Sequence, residues 1–261
     1  RQWDEAGEAW LNFVRAGQDY YRDEMNNPAI FEMLGNIRAK KILDLGCGEG
    51  YNCRIMVRKG AKVTGVDFSK KMIQAAAELE DKERLGIKYL LADACKLPMF
   101  KNGTFDVVTC FMALHDIENY QSAIREAFRI LKRRGRLVFV IPHPCFETRT
   151  RDGKIYGEWA FKKQTERGVP ESALYYKVDR YFDNHRFIVP WKMKRLTQQF
   201  ETTSFHRTLS DYAQALNQAG FAISRFNEPR PTKKGMEKHP LMKLSLRIPQ
   251  SIVVEAVKLR F

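Results

Sequence analysis

A chain of 261 residues, 44% hydrophobic and 29% charged, is long enough to bury a large core and is of ordinary size for one α/β domain. It has no apolar run of bilayer-spanning length, and the opening Trp3, Asp4, Glu5 and Glu8 do not resemble a secretory signal, so a cytoplasmic location is expected. Cys47, Cys53, Cys95, Cys110 and Cys145 are odd in number and lack metal-ligand spacing, which predicts reduced thiols and no bound metal; the formal charge of +14 calls for a separate account.

In chain order, Trp3, Ala6, Trp10, Phe13 and Val14 fall at helical spacing, and Gly17 ends that helix. A second helical stretch starts at Asp19-Tyr20-Tyr21-Arg22 and stops before Pro28. The first strand, 42–45, contains Asp44 and runs into Gly46-Cys47-Gly48-Glu49-Gly50, a turn whose glycines allow positive φ and close approach of a ligand. Bulky Tyr51 stands where a dinucleotide turn needs its last glycine, and no Gly-Lys-Ser/Thr phosphate loop is present. Strand two, 62–66, ends in Asp67, about twenty residues past the glycines, where a carboxylate suits a pair of ribose hydroxyls. Phe68 follows with a ring face for adenine, and Ser69 caps a helix carrying Met72, Ile73, Ala76 and Leu79 on its apolar side. Strand three, 87–91, leads into Ala92-Asp93-Ala94; strand four, 105–110, leads into Phe111-Met112-Ala113-Leu114-His115. A helix with Ile124, Phe128 and Leu131 on one face stops at Gly135, and strand five covers 136–141. Thr208-Leu209-Ser210-Asp211 reads as a capped helix start, Gly220 as its stop, and 221–227 and 251–259 as the last two strands.

Strands alternating with helices argue for a mostly parallel sheet covered on both faces, with ligands beyond the carboxyl ends of the strands. The glycine turn, Asp67, Asp93 and the 111–115 stretch, in that order, resemble the class I S-adenosylmethionine-dependent methyltransferases, in their small-molecule, type 11-like branch. The likeness is close over 41–142 and looser beyond. It implies a Rossmann-like seven-stranded sheet with an antiparallel last strand, an N-terminal helical lid over 1–40, a core over 41–142, a substrate-pocket insertion over 143–207 and the rest of the sheet over 208–261. It also implies S-adenosylmethionine as cofactor and S-adenosylhomocysteine as product. The cofactor would be held by Asp44, Gly46, Cys47, Gly48, Gly50, Asp67, Phe68, Met72, Asp93, Ala94 and Phe111, with Tyr21 and Arg22 of the lid beside it.

The acceptor is written in the insertion. His143, between Pro142 and Pro144 just past strand five, either takes a proton from the acceptor as general base or bridges backbone groups. His115, His206, Tyr181 and Trp191 are the expected substrate contacts, although His206 serves equally to fasten the lid. Basic residues gather here, among them Arg149, Arg151, Lys162, Lys163, Arg167, Lys177, Arg180, Arg186, Lys192, Lys194 and Arg195. They form a solvated surface, attract an anionic substrate, or, with the aromatics between them, bind nucleic acid. The expected reaction is in-line methyl transfer to a small anionic or aromatic metabolite. RNA or protein methylation, or a non-catalytic regulatory role for S-adenosylmethionine binding, are the alternatives; the absence of an Asn-Pro-Pro-Tyr motif after strand four weighs against nucleic acid.

Overall fold

The computed structural model describes residues 2–151, 153–166, 169–192 and 196–259; Arg167, Lys194 and Arg195 of the basic set lie outside them. The N-terminal run forms two helices, α1 (Gln2–Glu5) and α2 (Gly7–Arg15), in place of the one expected. They part at Ala6, before Gly7, where a Cβ would come within 2.9 Å of the Lys71 side chain. From Tyr20 the chain is helical without interruption, through a wide π turn at Arg22–Asn26 into α3 (Asn27–Leu34), so Pro28 does not stop the helix. Proline has no N–H to direct back to the preceding turn, so within a continuous helix a carbonyl there needs another donor. The Glu24 carbonyl, which would otherwise await that N–H, accepts from the Thr232 amide at 2.8 Å.

The core then alternates: β1 (Lys41–Leu45), α4 (Tyr51–Arg58), β2 (Lys62–Asp67), α5 (Lys70–Glu83), β3 (Lys88–Leu91), β4 (Phe105–Phe111), α6 (Tyr120–Ile130) and β5 (Leu131–Pro142). Gly135 does not stop α6; it lies inside β5, and Leu131 already pairs with Phe105. Fully buried Ile130 and Leu131 hold the chain against the core, Arg134 takes the left-handed conformation (φ 61°), and the pairing resumes at Arg136 with Val107 after a shift in register.

Three hairpins follow: β6 (Arg149–Arg151) with β7 (Lys154–Tyr156), β8 (Glu158–Phe161) with β9 (Ala173–Lys177), and β10 (His185–Trp191) with β11 (Phe200–His206). Then come α7 (Leu209–Ala219), β12 (Phe221–Asn227), α8 (Lys233–Lys238) and β13 (Ser251–Lys258). Thr208 caps α7 through a reciprocal capping box with Asp211, and Gly220 ends it at φ 98°.

The main sheet has the order β12-β13-β5-β4-β1-β2-β3, with β13 antiparallel to both neighbours and every other pair parallel. This is the seven-stranded, mostly parallel arrangement expected. Alternate residues of each strand bury opposite ways. Leu43, Val108 and Phe139 pack with Ile124 and Tyr212 on the α6–α7 side; Ile42, Val107 and Val138 pack with Ile30 and Met56 on the α3–α4 side. Each such side chain contributes about 1.5–3 kcal/mol of burial. The parallel strands all end at one rim, which carries the glycine turn, Asp67, Phe111 to His115 and Pro142-His143.

Candidate functional site

The turn after β1 is tight against protein on two sides and open on the third. Gly46, Gly48 and Gly50 all have positive φ. A Cβ on Gly46 would collide with Ala113 and one on Gly50 with Tyr89, whereas one on Gly48 would meet nothing within 4 Å. The Gly48 amide donates to Asp67 Oδ2 and the Ser69 amide to Asp67 Oδ1, both at 2.8 Å. Each carboxylate oxygen keeps a lone pair for a hydroxyl donor. Burial holds the Asp67 carboxyl above its usual range, and the two amides act against that shift. Phe68 is 67% exposed on the rim, Asp93 is exposed with Oδ1 accepting from the Cys95 amide, and Ala94 and Phe111 are half-buried. An open space over a glycine, a carboxylate able to take two hydroxyls and an uncovered aromatic face fit the implied S-adenosylmethionine. Gly46, Gly48, Gly50, Asp67, Phe68 and Asp93 would hold it.

Asp44 is brought to the turn but lies beneath it. It is 1% exposed, and its carboxylate accepts from Thr109 Oγ1 at 2.7 Å and from the Cys53 thiol at 3.3 Å. Burial pushes its carboxyl up to about 7. Its role is to hold the turn from below, in correction of the direct contact expected. Cys47 and Met72 are likewise buried, Met72 receiving the Ser69 cap through its amide. They pack behind the site.

The N-terminal segment is docked over this rim. Asp4 accepts from Ser69 Oγ at 2.8 Å and from the Lys71 amide at 3.1 Å, so α1 is fastened to the cap of α5, two residues from Asp67. Gln2 accepts from the Thr203 amide of β11, and Trp3 donates to Asp116 Oδ2 at 3.3 Å. Trp3, Trp10, Trp191 and Phe200 form one aromatic cluster with ring centroids 5.1–6.2 Å apart. Trp191, expected at the substrate, therefore joins lid to insertion. Arg22 lies 3.6 Å over the Tyr51 ring and pairs with Asp23, which sets the second helix beside the glycine turn.

For His143 and His206 the structure favours the second of the two roles expected of each. His143 is 3% exposed; its Nδ1 accepts from the Cys145 amide and its Nε2 faces Glu228 Oε1, both at 3.2 Å. Burial lowers its pKa against the opposing pull of Glu228. The nitrogen that would act as base is already an acceptor, so the geometry is that of the bridge. His206 is 1% exposed, with Nδ1 against Glu147 and Nε2 against the Tyr181 carbonyl, and Tyr181 accepts the Leu209 amide on its hydroxyl. Both fasten the insertion to the start of α7 instead of facing a ligand. His115 remains at the tip of β4, 3.4 Å from Asp116, with Nδ1 buried and lacking a partner among the described residues.

Two residues of the site left no motif in the sequence. Asp4 stands in the sequence only as one of several acids near the start. Arg207 is buried and directs its guanidinium at the carbonyls of Leu114, His115, Ile117 and Glu118, fixing the turn after β4; only its place beside the Thr208 cap hinted at a role.

A cavity of about 300 Å³ lies between Tyr21, the insertion and the segment before β13. Thr148, Glu158, Trp159, Phe161 and Tyr176 line it from the insertion, and Leu241, Leu244 and Gln250 from the other side. A larger hollow of about 670 Å³ includes Lys41, Lys62, Lys88 and Phe105, at the amino ends of the strands, away from the rim.

Comparison with known proteins agrees with this geometry. A family model described as a methyltransferase domain matches residues 43–139. An uncharacterized protein of Haemophilus influenzae is 28% identical over 222 residues, covering 83% of this chain and 80% of that protein. A demethylmenaquinone methyltransferase of Lactococcus lactis is 37% identical over 119 residues, 44% of each chain. Among solved structures, an S-adenosylmethionine-dependent methyltransferase from Mesorhizobium loti superposes with a TM-score of 0.69 at 29% identity, over 88% of this chain and 96% of that one.

Proposed function

Given that the chain is a class I S-adenosylmethionine-dependent methyltransferase, we propose that its acceptor is a small organic molecule enclosed between the N-terminal helices and the 143–207 insertion. The observation that carries this reading is the double fastening of α1, to the α5 cap through Asp4 and to β11 through Gln2 and the tryptophan cluster. A segment tied at both ends over the rim favours a small acceptor reached beneath it over an open track for a polymer. Named relatives that methylate demethylmenaquinone support a small acceptor. Of the anionic and aromatic classes expected, the aromatic walls at Trp159, Phe161 and Tyr176 favour the second.

Bound S-adenosylmethionine supplies a methyl group that is already activated. The protein's own task is to align the acceptor and exclude water, and orientation of this kind supplies a large part of a rate enhancement. Asp67 and the glycine turn orient the donor's two ends. Arg207 holds the Leu114–Glu118 carbonyls, and with them the turn bearing His115, in one position at the tip of β4. Trp3 and Trp10, packed on Trp191, tie the N-terminal helices to the insertion. No proton transfer is assigned to His143.

A crystal structure with S-adenosylhomocysteine tests the proposal. The expected result is a sulfur facing a closed chamber roofed by the N-terminal helices and the insertion. A sulfur at the floor of an open groove wide enough for a nucleic acid or a peptide strand contradicts it.

A further inference from the structure

We infer that the hollow of about 670 Å³ at the amino ends of the strands is a second ligand site, for a small amphiphilic anion: an apolar chain or ring carrying an anionic head group such as phosphate. It lies at the opposite end of the sheet from the rim that carries the glycine turn, and it stands whether or not methyl transfer takes place there.

The space exists because one face of the sheet is left partly bare. The crossovers from β1 to β2, from β2 to β3 and from β4 to β5 carry α4, α5 and α6, whereas residues 92–104, between β3 and β4, carry no helix. From the edge strand β3 that segment reaches β4 across β2 and β1, on the face that holds Leu43 and Val66. Its fully buried Leu97 packs with Leu45 and Val66 in the carboxyl half of those strands, and Arg129 holds it there through the Leu97 and Phe100 carbonyls. The amino half stays open. Register shows what that half presents. Lys41 pairs with Lys62 and Thr64 with both Leu43 and Lys88, and side chains two apart on a strand share a face, so Lys41, Lys62, Thr64, Lys88 and Leu90 all stand on the Leu43 side. Met99, Phe100 and Thr104 form the facing wall. Parallel sheets are ordinarily buried on both faces, yet Leu90 and Met99 are 36% and 49% exposed here.

The lining sets the class of ligand. It includes Lys41, Lys62 and Lys88 and no acid, and among the described residues none of these three ammonium groups makes an ion pair. Acids of the neighbouring turns are engaged elsewhere: Asp106 pairs with Lys132 at 2.8 Å, Glu83 pairs with Arg58, and Glu80 accepts the Gly86 and Ile87 amides. Arg38, Lys40 and Arg84, in the turns that lead into β1 and β3, add to the positive field at this end. An anionic head is therefore drawn to the lysines, with the Thr64 and Thr104 hydroxyls beside them. The exposed Leu90 and Met99, with Phe100, offer an apolar body surface to cover; a bare phosphate would leave that wall wet. A volume of about 670 Å³ is within the usual range of small-molecule sites, about 300–1,000 Å³. Part of the formal charge of +14 is gathered here, at the opposite end of the sheet from the insertion.

The test is calorimetric titration of the full chain with octyl phosphate, inorganic phosphate, 1-octanol and octylamine. Octyl phosphate is expected to bind about tenfold or more tighter than inorganic phosphate or octanol, each of which lacks one half of the recognition, and octylamine is expected to bind most weakly. Replacing both lysines, Lys62→Gln with Lys88→Gln, is expected to bring octyl phosphate down to the level of octanol. Leu90→Ser is expected to weaken octyl phosphate several-fold and leave inorganic phosphate unchanged, with a cooperative thermal melt in both variants as evidence of folding. Octanol, octylamine or inorganic phosphate binding as tightly as octyl phosphate, no binding by octyl phosphate, or an affinity indifferent to the lysine pair overturns the inference. S-adenosylhomocysteine binding, measured separately, bears on the methyltransferase reading and leaves this result untouched.

Discussion

Asp67 is the residue proposed to govern cofactor affinity, because its two oxygens tie the glycine turn to the tip of β2. Asp67→Ala removes the acceptor for two amides and for the ribose. Hydrogen bonds to a charged group contribute about 1.5–3 kcal/mol each, so S-adenosylhomocysteine affinity should fall at least tenfold by calorimetry; an unchanged affinity would remove Asp67 from the site. Asp44 gives a pH signature. Its carboxyl is raised to about 7 by burial, so between the unfolded value near 3.8 and about 7 the folded chain holds a proton that the unfolded chain has released. Stability from this group is full below that window and declines as pH rises through it. Asp44→Asn lacks the effect, so thermal melts from pH 4 to 8 should show the variant gaining on the parent up to about pH 7 and no further; a gap independent of pH refutes the assignment. His143→Gln should leave the shape of the pH–rate profile unaltered, since Nδ1 is engaged by the Cys145 amide. Loss of the basic limb would restore His143 as a base.

At the scale of elements, what was legible was what local chemistry dictates. The glycine turn, the Ser69 and Thr208 caps and the Gly220 stop all follow from short-range hydrogen bonding or φ, and each stands where the residues placed it. Helix ends decided by distant partners were not legible. Pro28 continues a helix because Thr232, far along the chain, takes the carbonyl it leaves free, and Gly135 yields to Leu131 because β4 recruits that residue into the sheet. The choice between the two roles open to each histidine was closed to the sequence for the same reason: it shows that His143 and His206 lie near an expected pocket, but not that Glu228, Glu147 and the Tyr181 carbonyl already hold their nitrogens. The lid is the element most open to test. Asp4→Ala removes the acceptor that fastens α1 to Ser69 and Lys71, a change worth about 1 kcal/mol by analogy with a lost helix cap. Proteolysis around Gly17 should quicken and S-adenosylhomocysteine should dissociate several-fold faster in stopped-flow fluorescence, with the global melting temperature little altered. Equal dissociation rates would show that the N-terminal helices do not gate the rim.

For the molecule as a whole, the sheet order brings the carboxyl ends of five parallel strands, β1 to β5, and the start of β13 to one rim. Among the described residues no helix is long and apolar enough to cross a membrane. The proposed function stands on a methyl donor at the glycine turn and a small molecule as its acceptor. Incubating the chain with methyl-tritiated S-adenosylmethionine and a cell extract split by ultrafiltration into small molecules, RNA and protein measures this directly. Label should appear in the small-molecule fraction and be absent from the retained one; tritium on RNA or protein, with none in the filtrate, would contradict the account.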